Sequence, residues 1–273
     1  MKSDERMKLG LRGIMHRLGF AIPREHGLSM IWLSALFLGT GISFLKDIRI
    51  EGLILALSFS IITYLSHDAI RRTVKSRFSE IHWIPWISIL ALSITIWIWR
   101  PIWQIFSLFI LLISLFGIWV IFAQRMQYTH TGTLVIGALN LTLLVPLIFL
   151  SSIKSVDEAN SLEMIAIWWL FAGITVLLIL HVQRMRNKIR FNVPLIIWAL
   201  FLFSFVPLFL SQAMNVFFGI SLIEPTLNEV FQFIRQDKIK NSKPRLKRVG
   251  LVVTARIFFF VFLILLVSLL ITI

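Results

Sequence analysis

The chain is divided into long apolar runs separated by short loops, most of them basic, and this one pattern limits what it can fold into. A helix needs about 20 predominantly apolar residues to cross a bilayer, whose core holds no water to satisfy an exposed backbone. Runs of this kind cover Leu28 to Phe44, Gly52 to Ser66, Ile84 to Trp99, Trp103 to Phe122, Thr133 to Leu150, Leu162 to Leu180, Phe191 to Leu210 and Val252 to Ile273. A ninth, Ala213 to Ile234, is weaker because it contains Asn215, Glu224, Pro225, Asn228 and Glu229. Composition agrees: 58% of the 273 residues are hydrophobic and only 15% are charged, against about a quarter charged in soluble domains. The expected fold is an all-α polytopic transmembrane helical bundle of nine spans. Residues 1–26 form a basic, amphipathic cytoplasmic N-terminal segment and residues 27–273 the transmembrane domain.

The ninth run decides the topology, because Lys and Arg in short loops set orientation. If it crosses and the N-terminus is cytoplasmic, the basic residues of 1–26, Arg71 to Arg77, Arg125, Arg184 to Arg190 and Arg235 to Arg256 all lie inside. Only Lys46, Arg49, Arg100 and Lys154 then lie outside. If it does not cross, the last basic group moves outside and the asymmetry nearly vanishes. The expectation is therefore N-terminus in and C-terminus out, in the cytoplasmic (cell) membrane. The net charge of +14 mostly sets orientation, and its partner is the anionic phospholipid headgroup, not nucleic acid. The absence of Cys excludes a disulfide framework, a thiolate metal site and a cysteine nucleophile.

Within residues 1–26, Met7, Leu11, Ile14, Met15 and Leu18 recur at helical spacing, with Lys8, Arg12, His16 and Arg17 mostly on other faces, the pattern of an interfacial helix. The apolar run that follows reads as an uncleaved first span, since no small-residue cleavage pattern precedes it. Between the two stands Pro23-Arg24-Glu25-His26-Gly27. Pro and Glu suit a first helical turn. Arg24 and His26 are not needed for a cap, and with Glu25 they can hold an anion or move a proton.

Ile22 through Ser43, IPREHGLSMIWLSALFLGTGIS, resembles the opening of the YwiC-like family of bacterial membrane proteins. That family typically begins with a proline, a basic residue, an acidic or amide residue and His-Gly, which Pro23, Arg24, Glu25, His26 and Gly27 match. Thr63 to Arg77, TYLSHDAIRRTVKSR, is similar to the family's basic loop after a second span. After Gly27 the family often has Ala-Trp, where this chain has Leu28-Ser29. The resemblance implies a multi-span membrane protein with no assignable reaction.

The segment from Ser66 to Lys75 also resembles, in position, the first acidic motif of UbiA-type prenyltransferases, Asn-Asp-x-x-Asp-x-x-x-Asp, which holds Mg²⁺ on a prenyl diphosphate. Only Asp68 matches; His67 stands for the Asn, and Arg71 and Lys75 replace the later aspartates. Mg²⁺ wants carboxylate or phosphate oxygen, so no cofactor is expected except Mg²⁺ under a prenyltransferase alternative. Arg71, Arg72 and Lys75 can instead meet phosphate directly.

Gln124-Arg125-Met126 and Gln183-Arg184-Met185 repeat at two inner helix ends, each with a His nearby. If the bundle gathers these ends, Arg24, His26, His67, Arg71, Arg125, His181 and Arg184 ring one cytoplasmic cavity. Glu224 is the expected buried carboxylate of the weak span, because ionisable groups in a span usually face the bundle interior. Pro225 beside it is expected to break the helix. Together these residues point to a binding protein for an anionic lipid or another phosphate-bearing small molecule at the cytoplasmic face. The alternatives are a UbiA-like membrane prenyltransferase and a small-molecule transporter. No Walker or dinucleotide loop appears, nor paired His at i, i+4 with Glu for zinc.

Overall fold

The computed structural model describes Phe20 and residues 26–76, 82–126, 130–186, 188–190, 192–210, 218–234 and 246–272. The amphipathic pattern of residues 1–19, and Arg24 and Glu25, lie outside the described residues. Among the described residues ten helices follow one another: α1 (His26–Phe44), α2 (Ile50–Lys75), α3 (Trp83–Trp99), α4 (Trp103–Arg125), α5 (Thr131–Thr142), α6 (Leu144–Ser152), α7 (Glu158–Met185), α8 (Val193–Leu210), α9 (Gly219–Ile234) and α10 (Leu246–Thr272). The described residues form no strand; one isolated bridge joins Ile48 and Ile153.

Six segments are long and apolar enough to cross a membrane: Gly27–Phe44, Ile50–Lys75, Trp103–Arg125, Thr131–Ser152, Ser161–Met185 and Val252–Ile271. Two shorter apolar helices, Trp83–Trp99 and Val193–Pro207, accompany them. The span at Thr131–Ser152 contains both α5 and α6, which part at a single turn residue, Leu143. Pro146 explains the break, because it has no N–H to offer the carbonyl four residues earlier and its ring crowds that carbonyl. Thr142, at the break, accepts the indole N–H of Trp168 at 3.0 Å.

The core sits where α1, α2, α6, α7 and α10 meet, with Leu38, Phe59, Ile148, Phe149, Phe171 and Ile264 all at most 1% exposed. Two backbones come unusually close there. A Cβ on Gly52 would lie 1.9 Å from the Ser151 carbonyl oxygen, so only glycine lets α2 start against the end of α6. Nearby, buried Ser152 Oγ donates to Ser43 Oγ at 2.8 Å, and Ser43 Oγ donates to the Gly39 carbonyl at 2.7 Å. Small residues with local hydroxyl bonds suit association in lipid, where apolar surface alone gives helices no preference for each other.

Large apolar side chains point outward on nearly every helix, among them Phe37, Ile98, Trp103, Ile113, Leu200, Phe203 and Phe262. A soluble monomer rarely exposes apolar patches of more than a few hundred Å². The all-around display fits a lipid-facing perimeter.

The end of the bundle formed by 45–49, 100–102 and 153–157 is tied by loops. The Arg49 N–H donates to the Ser152 carbonyl and the Lys154 N–H to the Asp47 carbonyl. Lys154 Nζ pairs with Asp47 at 2.7 Å and Lys46 Nζ with Glu163 at 3.1 Å. Arg100, 7% exposed, donates from both terminal nitrogens to the Lys154 carbonyl at 3.1 Å. Burial first and the nearby Arg49 second hold the Arg100 guanidinium below its ordinary pKa. An arginine nevertheless stays charged at any physiological pH, so a cation is built into this turn.

Candidate functional site

The densest polar cluster among the described residues lies between α7, α9 and α10. It arises from the inverted amphipathicity of α9. Ser221, Pro225 and Glu229, spaced four apart and so on one face, are buried, with Ser221 and Glu229 at 0% exposure. Ile220, Ile223, Leu227, Val230, Phe231 and Ile234 are exposed. A helix resting on a surface in water would turn its carboxylates outward and its apolar side chains inward. Here the polar face is folded into the protein and the apolar face is displayed, the arrangement expected of a helix surrounded by hydrocarbon.

Ser221 Oγ donates locally to the Phe218 carbonyl at 2.6 Å, and the other polar residues of α9 meet partners on neighbouring helices. Trp198 on α8 donates its indole N–H to Thr226 Oγ1 at 3.0 Å. Glu229 Oε2 accepts from Arg184 Nη1 at 3.3 Å, and Glu229 Oε1 lies 3.2 Å from His181 Nδ1. Arg184 Nη2 donates to Gln232 Oε1. The pairs 181–229 and 184–232 advance together, so α9 runs in the same direction as α7. On α10, Arg256 Nε and Nη2 donate to the two oxygens of Glu224 at 3.0 and 3.2 Å. The Asn228 amide, turned over, presents its oxygen to Arg256 Nη1 at 3.0 Å.

His181 Nδ1 carries a conflict that is chemically informative. It lies 2.8 Å from Arg184 Nη2, a donor, and 3.2 Å from Glu229 Oε1, an acceptor when ionised. With a hydrogen on Nδ1 the imidazole donates to the carboxylate; without it, the imidazole accepts from the guanidinium. One nitrogen cannot do both at once, so the atoms present admit two hydrogen-bond patterns that differ in the position of a proton.

The residues singled out in the sequence fall into three groups. His181 and Arg184 lie in the cluster, 4% and 5% exposed. Glu224 is at its edge: its side chain is 43% exposed and paired with Arg256, while Glu229, five residues on, takes the fully buried position. The helix does not break at Pro225, as expected above; α9 runs unbroken through it. His67, Asp68, Arg71 and Arg72 are half-buried on the last turns of α2, where Arg72 Nε donates to the Asp68 carbonyl at 3.3 Å. Arg125 is exposed in the last turn of α4, and His26 opens α1. Glu229, Gln232 and Arg256 were missed as site residues. The four-residue recurrence of Ser221, Pro225 and Glu229 opposite an apolar stripe is the signal that could have found Glu229.

A second feature lies beside the cluster. Val135 and Leu139 of α5, Gly173 and Leu177 of α7, and Ile197 and Phe201 of α8 line an apolar cavity of about 200 Å³ that opens to the outside of the bundle. At their nearer ends these three helices reach exposed basic groups: His130 before α5, Arg186 after α7, and Lys188 and Arg190 before α8. His130 also caps α5, its Nδ1 accepting from the Gly132 N–H at 3.2 Å.

No group of three or more His, Asp or Glu among the described residues is placed to hold a metal ion. No family model, curated protein or solved structure matches the chain. The fold and the cluster define a class: an all-helical protein with several helices fit to cross a membrane and a buried polar site between three of them.

Proposed function

We propose that the chain is a nine-span protein of the cytoplasmic membrane, N-terminus in and C-terminus out, that binds a phosphate-bearing anionic lipid at its inner face. The observation that carries the ligand reading is the apolar cavity between α5, α7 and α8, whose three lining helices all reach basic groups at one end. A tail in the cavity and a phosphate among Arg186, Lys188 and Arg190 satisfy both halves of an amphiphile. Arg184 is not a phosphate ligand in this reading, because Glu229 already neutralises it. The topology is supported by the inverted amphipathicity of α9 and by its running in the direction of α7, from which it is separated in sequence by α8. The family reading rests on the residues from Ile22 to Ser43 and on the basic loop after α2.

The test is extraction in mild detergent followed by identification of retained lipids. An anionic phosphate lipid is expected to be enriched over a zwitterionic one. Replacing Arg186, Lys188 and Arg190 with Ala one at a time is expected to lower retention by about fivefold each, the equivalent of about 1 kcal/mol per charge. Retention that ignores both headgroup and these substitutions contradicts the reading.

A further inference from the structure

We propose that His181 and Glu229 form a proton-binding site inside the bundle, and that its occupancy controls how α9 docks. The first support is the geometry at His181 Nδ1, which faces a guanidinium nitrogen at 2.8 Å and a carboxylate oxygen at 3.2 Å. In the neutral tautomer with its hydrogen on Nε2, a proton taken up at Nδ1 creates a bond to Glu229 and turns the contact with Arg184 Nη2 from donor–acceptor into donor–donor. Arg184 must then move off His181 while keeping its partners on α9, Glu229 and Gln232.

The second support is charge balance. Among the described residues, the charged groups facing the site are Arg184 on α7, Glu224 and Glu229 on α9, and Arg256 on α10; α8 has no titratable side chain. With a neutral imidazole these four sum to zero. A proton taken up by His181 leaves one uncompensated positive charge among apolar helices, which is costly unless water or movement relieves it. The third support is the way α9 is held. Its large apolar side chains mostly face outward, and its contacts with α7 and α10 run through these same polar groups. A proton that unbalances the cluster therefore acts on the contacts that seat the helix. Exposed Arg186, just past the end of α7, lies five residues beyond His181.

The chain has no Cys, so spin labels attach only where cysteines are introduced. Labels at Ile165→Cys on α7 and Leu227→Cys on α9, both outward-facing, report the seating of α9 in reconstituted vesicles. Between pH 8 and pH 5 the distance distribution is expected to broaden and shift by several Å, a change of the kind electron-spin distance measurements resolve. His181→Gln, which cannot take up the proton, is expected to hold the pH 8 distribution at both values. Glu229→Gln, which leaves the positive charge in place permanently, is expected to give the acid distribution at both. A parent protein whose distribution is the same at pH 8 and pH 5, or a His181→Gln protein that still responds to pH as the parent does, overturns the proposal. Neither result depends on whether a lipid binds between α5 and α8.

Discussion

Where α2 meets α6 the two backbones touch; where α9 meets α7 and α10, charged side chains do. The first seam is made of Gly52 on α2, Gly39 and Ser43 on α1 and Ser152 on α6, with one hydroxyl bond inside α1, one between α6 and α1, and no ionised group among them. The second is made of His181, Arg184, Glu229, Arg256 and Glu224. Apolar surface alone does not bring helices together in lipid, so close packing or polar contact must supply the preference. A seam of small residues is fixed by shape and insensitive to pH. A seam of balanced charges keeps its helix in place only while the balance holds, and this is why we locate the proton-sensitive contact in the second.

Breaking the charged seam at its centre should have the largest effect. Glu229→Ala leaves Arg184 buried without its counter-charge, and such losses cost about 3–5 kcal/mol; unfolding by detergent titration should show it. Gly52→Ala is the matching test of the small-residue seam. The added methyl meets the Ser151 carbonyl, and overpacking of this kind costs about 1–3 kcal/mol, with no dependence on pH. Arg100→Ala should have an effect of similar size to Gly52→Ala, at about 1.5–3 kcal/mol for the lost charge-assisted bonds to the Lys154 carbonyl. Its effect should appear as easier proteolysis of the loops around residues 45–49 and 153–157. The smallest effect belongs to Glu224→Gln: its side chain is 43% exposed, and an ion pair so open is worth about 1 kcal/mol or less. Equal losses at Glu224 and Glu229 would erase the distinction between edge and centre.

The apolar helices were legible because spanning a bilayer demands length and hydropathy, which are properties of a contiguous run. Trp168 and Trp169 sit deep in such a run, where an indole N–H needs a partner, and theirs donate to Thr142 and Ser204 on neighbouring helices. The charged seam was only half legible. His181 and Arg184 stood out because they end a long apolar run, but their partner had to be found on another helix. Glu224 drew notice as an ionisable group within a span, whereas Glu229 holds the buried position because it shares a face with Ser221 and Pro225. Arg256 was counted with the charges that set orientation; its role as the partner of Glu224 depends on how α10 lies against α9, which no local pattern encodes. The latch around Arg100 was hidden for the same reason, since its acceptor is a backbone carbonyl 54 residues away.

The central claim is that α9 is embedded in lipid with its polar face turned into the bundle. A nitroxide placed singly at Ile223, Leu227 and Phe231, in vesicles, reports collision with oxygen, which concentrates in hydrocarbon, and with a water-soluble nickel complex, which does not. The account predicts high oxygen and low nickel accessibility at all three positions. Nickel accessibility exceeding that of oxygen along this face would place α9 at the water surface and contradict it.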